Sequence, residues 1–182
     1  MPKKRKLPYR VVESRLIYQG HIARLVKDRF CLDVAPGKLV TRELVLHPGA
    51  AVILPFVDSK HILLIRQFRY AAQGNLWEIP AGTLEKGEPF LRCARRELEE
   101  ETGFRARRWK RLAAFLPAPG LSNELMTLYK AWDLHPGRKN LDHDEWIEHE
   151  AVSLDQAVRM VRDGRIRDAK TLIGVLWARH LL

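Results

Sequence analysis

Hydrophobic and polar positions alternate through much of the first quarter of the chain. Arg15–Tyr18, His21–Val26 and Arg42–Leu46 each follow this rhythm, which predicts strands, separated by turns at Gln19-Gly20 and Pro36-Gly37. The pattern then changes. Ala50–Val57 and His61–Arg66 are almost wholly apolar, as buried strands are, and Asp58-Ser59-Lys60 between them predicts a hairpin. Glu78–Gly82 reads as a short segment ending in a loop. From Pro89 to Glu101 the period becomes helical, with Phe90, Leu91, Ala94 and Leu98 on one face. Pro89 suits a first helical turn and Gly103 a C-terminal cap. Strands are expected over Trp109–Leu116 and Leu125–Leu134. Ser153, with Gln156 following it, predicts the start of a helix that Gly164 stops. A last helix begins at Asp168 or Lys170 and carries Leu172, Ile173, Val175, Leu176 and Ala178. Strands, a helix, more strands and two terminal helices define an α/β layered domain, and 182 residues suffice for one real core.

Composition narrows the class. Hydrophobic residues make up 46% and charged residues 30% of the chain, and no apolar run is long enough for a membrane-spanning helix. Met1–Arg10 is basic with no apolar stretch after it, so no secretory signal is expected. Cys31 and Cys93 have no metal-ligand spacing, and two buried thiols in a reduced cytoplasm are expected. The net charge of +10 admits nucleic acid, a membrane surface or an anionic small substrate. Its clusters at Lys3–Lys6, Arg92–Arg96 and Arg105–Arg111 lack interleaved aromatic residues, which argues against nucleic acid. Pro2–Lys6 looks like a nuclear localisation signal, but a solvated tail is the expectation for so short a basic run.

The predicted helix ending at Gly103 carries the sharpest chemistry. Glu97, Glu100 and Glu101 stand at i, i+3 and i+4, so they share a face. Like charges at that spacing repel, and a divalent cation would reverse the sign of the cost. Glu88 lies more than two turns back and roughly opposite in angle, making it a weaker direct ligand. Arg96 can orient or partly neutralise the carboxylates, and Gly82 and Gly87 let a loop bend toward them. Glu99 is expected to be a solvated surface residue, which is what an acidic helix end would otherwise be throughout.

The run of Gly82, Glu88, Arg96, Glu97, Leu98, Glu100, Glu101, Gly103 and Phe104 resembles the Nudix box in every position of the family pattern. The resemblance implies an α/β/α sandwich with a mixed sheet. It implies hydrolysis of a nucleoside diphosphate linked to another group, with Mg²⁺, or Mn²⁺ as the alternative. By the same resemblance Glu97 and Glu101 are the main metal ligands, Glu100 a further ligand with a catalytic part, and the Ala81 carbonyl completes the site. Arg96 is carried over as a catalytic-site residue.

Further segments resemble the ADP-ribose pyrophosphatase branch: Arg42-Glu43, Gly49–Val52, Arg66–Arg69, Trp77–Gly82, the Leu116–Glu124 loop with Pro119 and Gly120, and Gly164–Thr171. The likeness implies substrate contacts from Arg42 near the adenine, from Arg69 at the diphosphate or ribose, and from Glu78, Pro119 and Gly120. It implies a homodimer in which residues 1–46, a basic tail and N-terminal strands, serve dimerisation and the adenine site, with residues 47–182 as the hydrolase domain. A general base is expected at Glu145, with Asp144 and Glu148 as rivals; His143 departs from the branch pattern. ADP-ribose is the expected substrate. GDP-mannose-type nucleotide sugars, a non-catalytic ADP-ribose sensor and RNA 5′-end processing are the alternatives.

Overall fold

The computed structural model describes residues 8–141 and 146–181. These fall into two compact units, one comprising residues 1–48 with 118–124 and the other residues 49–117 with 125–182.

The first unit is a three-stranded antiparallel sheet in the order β1-β2-β3, with β1 Tyr9–Gln19, β2 Arg24–Leu32 and β3 Leu39–Leu46. Gly37, at a φ of 83°, makes the turn into β3 where a side chain would be strained. Every residue of β1 is exposed, including Val11, Val12, Leu16, Ile17 and Tyr18. The segment after Pro117 joins this sheet through the Leu121 carbonyl, which accepts from the Val45 N–H, and through Ser122 Oγ, which donates to the Val45 carbonyl. Cys31 is only half-buried, so the expectation of two buried thiols holds for Cys93 alone. Iodoacetamide on the folded protein is expected to label Cys31 and spare Cys93. Burial pushes the Cys93 thiol up to about 12, and only the thiolate reacts. Equal labelling rates, read by peptide mass, would contradict that burial.

The second unit holds β4 Ala50–Pro55, β5 His61–Arg69, β6 Gly74–Glu78, β7 Ala81–Thr83, α1 Phe90–Thr102, β8 Phe104–Phe115, β9 Met126–Pro136, β10 Ile147–Ser153, α2 Leu154–Arg162 and α3 Ala169–Leu181. A mixed sheet runs β7-β4-β9-β8, in which β4 and β9 are parallel. An antiparallel sheet runs β10-β5-β6. The predicted β4–β5 hairpin is therefore corrected. Apart from one bridge between Phe56 and Ile62 the two strands part into different sheets. A strand buried on both faces needs partners on both edges, and β4 finds them in β7 and β9.

The pleat of β4 divides the core. Ala51 and Ile53 join Tyr129, Ala131 and the α1 residues Cys93, Ala94 and Leu98 on one side. Val52 and Leu54 join Leu128, Ile62, Leu64, Ile79, Val152, Met160 and Val175 on the other, where α2 and α3 lie. Helices on both sides of the strands make the expected α/β/α sandwich. Pro89 proves to be the cap residue just before α1 rather than a member of its first turn; its carbonyl accepts from the Arg92 and Cys93 N–H groups. Gly103, at a φ of 74°, closes the helix, donating its N–H to the Glu99 carbonyl. Ser153 caps α2 through Gln156 as predicted, and Asp168 caps α3, accepting from the Thr171 N–H.

Candidate active site

Helix α1 and the short strand β7 together build an acidic face. Glu97, Glu100 and Glu101 lie on the α1 face that turns toward the 81–83 segment. Gly82 is the reason Glu97 can lie there: a Cβ on residue 82 would fall 1.8 Å from the Glu97 carboxyl carbon. Glu101 is buried, at 3% exposure, and its Oε2 accepts from the Ala81 N–H at 3.2 Å. That bond fixes the peptide on one side of Ala81, the residue whose carbonyl the resemblance nominates as a ligand.

Arg96 is the hub. Its Nη1 donates to Glu97 Oε1 at 2.7 Å and to Glu100 Oε2 at 2.9 Å. Its Nε and Nη2 take both oxygens of Glu88, and Nη2 also donates to the Thr83 carbonyl. Burial opposes the Arg96 charge, but the Glu88 hydrogen bonds, the Glu97 charge and the Glu100 hydrogen bond outweigh it and raise its pKa. Glu88 is thus not opposite the carboxylate face. It sits in the loop before α1, buried at the side chain and held by Arg96 below the usual carboxylate range. The helical angle misjudged it because α1 starts only at Phe90. Gly87 provides the turn behind it at a φ of 76°. Glu99 is corrected too: instead of standing in solvent, it pairs with Arg105 Nε at 2.7 Å and accepts from the Arg138 N–H.

A second charged group lies at the end of β6. Glu78 is 1% exposed and receives Arg69 bidentately, Nε to Oε1 at 2.9 Å and Nη2 to Oε2 at 2.8 Å. Lys170 Nζ also donates to Glu78 Oε2. Burial pushes the Glu78 carboxyl up, and Arg69 and Lys170 more than reverse it, leaving it below its ordinary value. Arg69 is raised, chiefly by its hydrogen bond to Glu78, and also feels the charges of Glu101 and Asp168. The sequence reading gave Lys170 no role of its own, placing it at a helix start within the branch-like Gly164–Thr171 segment. An Asp168-Ala169-Lys170-Thr171 run signals a cap, and nothing local signals that its lysine is buried against a glutamate far away in the chain.

The other nominated residues divide. Arg42, Pro119 and Gly120 belong to the first unit and are exposed there; Arg42 Nη1 donates to the Thr41 carbonyl. Glu145 and Asp144 lie outside the described residues, while the rival Glu148 is exposed on β10. Among the described residues no three ligating side chains converge as a ready cation cage, since Arg96 holds two of the three glutamates. A separate cleft of about 490 Å³, lined by Phe56, Arg108, Lys130 and Trp132 among others, does not include these carboxylates.

An α/β/α sandwich with an acidic helix facing a glycine-bearing strand defines the class of protein. The chain belongs to the Nudix domain family, whose model matches residues 45–173. It is 35% identical over 174 residues to the ADP-ribose pyrophosphatase of Bacillus subtilis (strain 168), covering 94% of this chain and 92% of that one. It is 39% identical over 142 residues to the GDP-mannose pyrophosphatase of Cronobacter sakazakii (strain ATCC BAA-894), covering 73% of this chain and 72% of that one. A solved structure described as an ADP compounds hydrolase superposes with a TM-score of 0.83 at 22% identity, covering 97% of this chain and 95% of that one, and so shares the fold.

Proposed function

We propose that this chain is a pyrophosphohydrolase that cleaves ADP-ribose to AMP and ribose 5-phosphate. The observation that carries the reading is the Arg96-centred set of Glu88, Glu97 and Glu100 beside Glu101 and the Ala81 loop. The ADP-ribose pyrophosphatase relative, matched over nearly its whole length, supports the choice of substrate.

The donor set suits a hard divalent cation in kind, being all oxygen: Glu97 and Glu101 with Glu100 and the Ala81 carbonyl. Mg²⁺ is the ion proposed, with Mn²⁺ the alternative. Such an ion would neutralise the diphosphate and lower the pKa of a bound water. Glu97 and Glu100 would have to exchange their bonds to Arg96 for the ion, and the bonds from Glu88 would hold Arg96 nearby as a counter-charge. Arg69 directs its guanidinium at the diphosphate while buried Glu78 fixes its plane. Glu145 is the proposed proton acceptor for the attacking water, with Asp144 and Glu148 the other carboxylates in reach along the chain.

The exposed apolar residues of β1 form an unprotected strand of the kind that pairs with a second chain. We take it to dock a second copy, with residues 1–46, Arg42 among them, serving the adenine site of the dimer and residues 47–182 the chemistry; Pro119 and Gly120 are taken to contact substrate. Free thiols at both cysteines fit the cytoplasm. Turnover of ADP-ribose against GDP-mannose and other nucleotide sugars, with Mg²⁺ in heavy-oxygen water, tests the reading. AMP and ribose 5-phosphate as products, with one labelled, are expected. The GDP-mannose pyrophosphatase relative motivates the second reading, and faster turnover of GDP-mannose would install it.

A further inference from the structure

Three distant segments meet at the buried carboxylate of Glu78. Arg69 comes from the end of β5, Glu78 from the end of β6, and Lys170 from the first turn of α3. Lys170 is 6% exposed. Besides its bond to Glu78 Oε2 it pairs with Asp168 Oδ1 at 3.1 Å. Arg69, Lys170, Glu78 and Asp168 thus form a closed set of two cations and two anions. Burying a lysine carries a heavy desolvation cost, and Arg69 alone could neutralise Glu78.

A mechanical clamp is already present without that amine. Thr171 Oγ1 accepts from the Ile79 N–H and donates to Asp168 Oδ2, so the α3 start grips the backbone next to Glu78. What Lys170 adds is charge. Arg69 spends its Nε and Nη2 edge on Glu78, and its side chain remains 40% exposed while Glu78 is 1% exposed. Arg69 is therefore the most exposed side chain of the set, since those of Lys170 and Asp168 are 7% and 17% exposed. A carboxylate shared by two cations compensates each only partly, so the more exposed one keeps more of its field.

We propose that Lys170 is a positioning residue for diphosphate recognition: by sharing Glu78 with Arg69, it holds the Arg69 guanidinium in a fixed plane with its positive charge incompletely cancelled. This rests on the reading above that Arg69 meets the diphosphate. With Lys170 removed, Glu78 pairs with Arg69 alone and pulls its charge inward. The cost appears in diphosphate affinity, not in the chemical step.

A double-mutant cycle over Lys170 and Arg69 tests this. The probe is the non-hydrolysable α,β-methylene analogue of ADP, titrated by calorimetry with Mg²⁺, alongside KM and kcat for the preferred substrate. Lys170→Met is expected to weaken probe binding and raise KM about tenfold, with kcat within about threefold, as for loss of ground-state binding. In an Arg69→Ala background the same change is expected to have no further effect. Additive losses, or a fall confined to kcat, would overturn the proposal. Because Lys170→Met removes the ion pair of Asp168, the cycle is repeated with Asp168→Asn/Lys170→Met, which removes one charge of each sign and protects folding. Wild-type protein that ignores the probe overturns the proposal. Wild-type protein that binds the probe but prefers GDP-mannose sinks the ADP-ribose assignment and leaves the cycle valid.

Discussion

Glu97→Gln and Glu101→Gln are each expected to lose about a thousandfold in kcat while melting within a few degrees of the parent. A bound cation's stabilisation of a pyrophosphate transition state is worth several kcal/mol, and each 1.36 kcal/mol is tenfold in rate. Glutamine has the shape of glutamate, and at position 101 its amide oxygen can still accept from the Ala81 N–H, so the buried contact survives. The loss would therefore report charge and not packing. Steady-state turnover with Mg²⁺, paired with thermal melting, makes the measurement. Near-parental turnover by both variants would remove these carboxylates from the chemistry.

The second large effect is expected from the smallest change. Gly82→Ala adds one methyl group whose carbon would stand 1.8 Å from Glu97 Cδ and Oε1 and 2.4 Å from Oε2. The atoms in the way are the far end of a flexible side chain, so the fold yields by swinging Glu97 aside at little cost in stability. The carboxylate, however, leaves the Ala81–Gly82 edge. A displacement of about 1 Å at a reacting centre can cost about a hundredfold in rate. The variant should melt like the parent and turn over about a hundredfold slower. Parental kcat in Gly82→Ala would mean that Glu97 does its work elsewhere.

The chain wrote its local features plainly. The helix over the box, its Gly103 terminus and the Ser153 cap depend on neighbours within a turn or two, and short-range sterics and hydrogen bonding decide them. The shared face of Glu97, Glu100 and Glu101 followed from the helical repeat alone, while the chemical class came from the resemblance of the whole Gly82–Phe104 run to the Nudix box. Glu88 shows where the same arithmetic fails, because helical angles mean nothing for a residue in the loop before the helix.

What the tertiary structure alone decided is pairing between distant parts. The apolar runs of β4 and β5 looked like a hairpin, yet β4 takes β9 as its parallel neighbour, in the register Ala50 with Met126, and that choice depends on burying both faces at once. Glu78 and Lys170 stand 92 positions apart, and neither alone announces a buried ion pair. Their meeting depends on α3 packing against β6, with Val175 and Ile79 in one core. Sequence determines which groups exist and how each helix turn arrays them. The free energy of burying apolar surface decides which of those groups then face each other, and that sum runs over the whole chain.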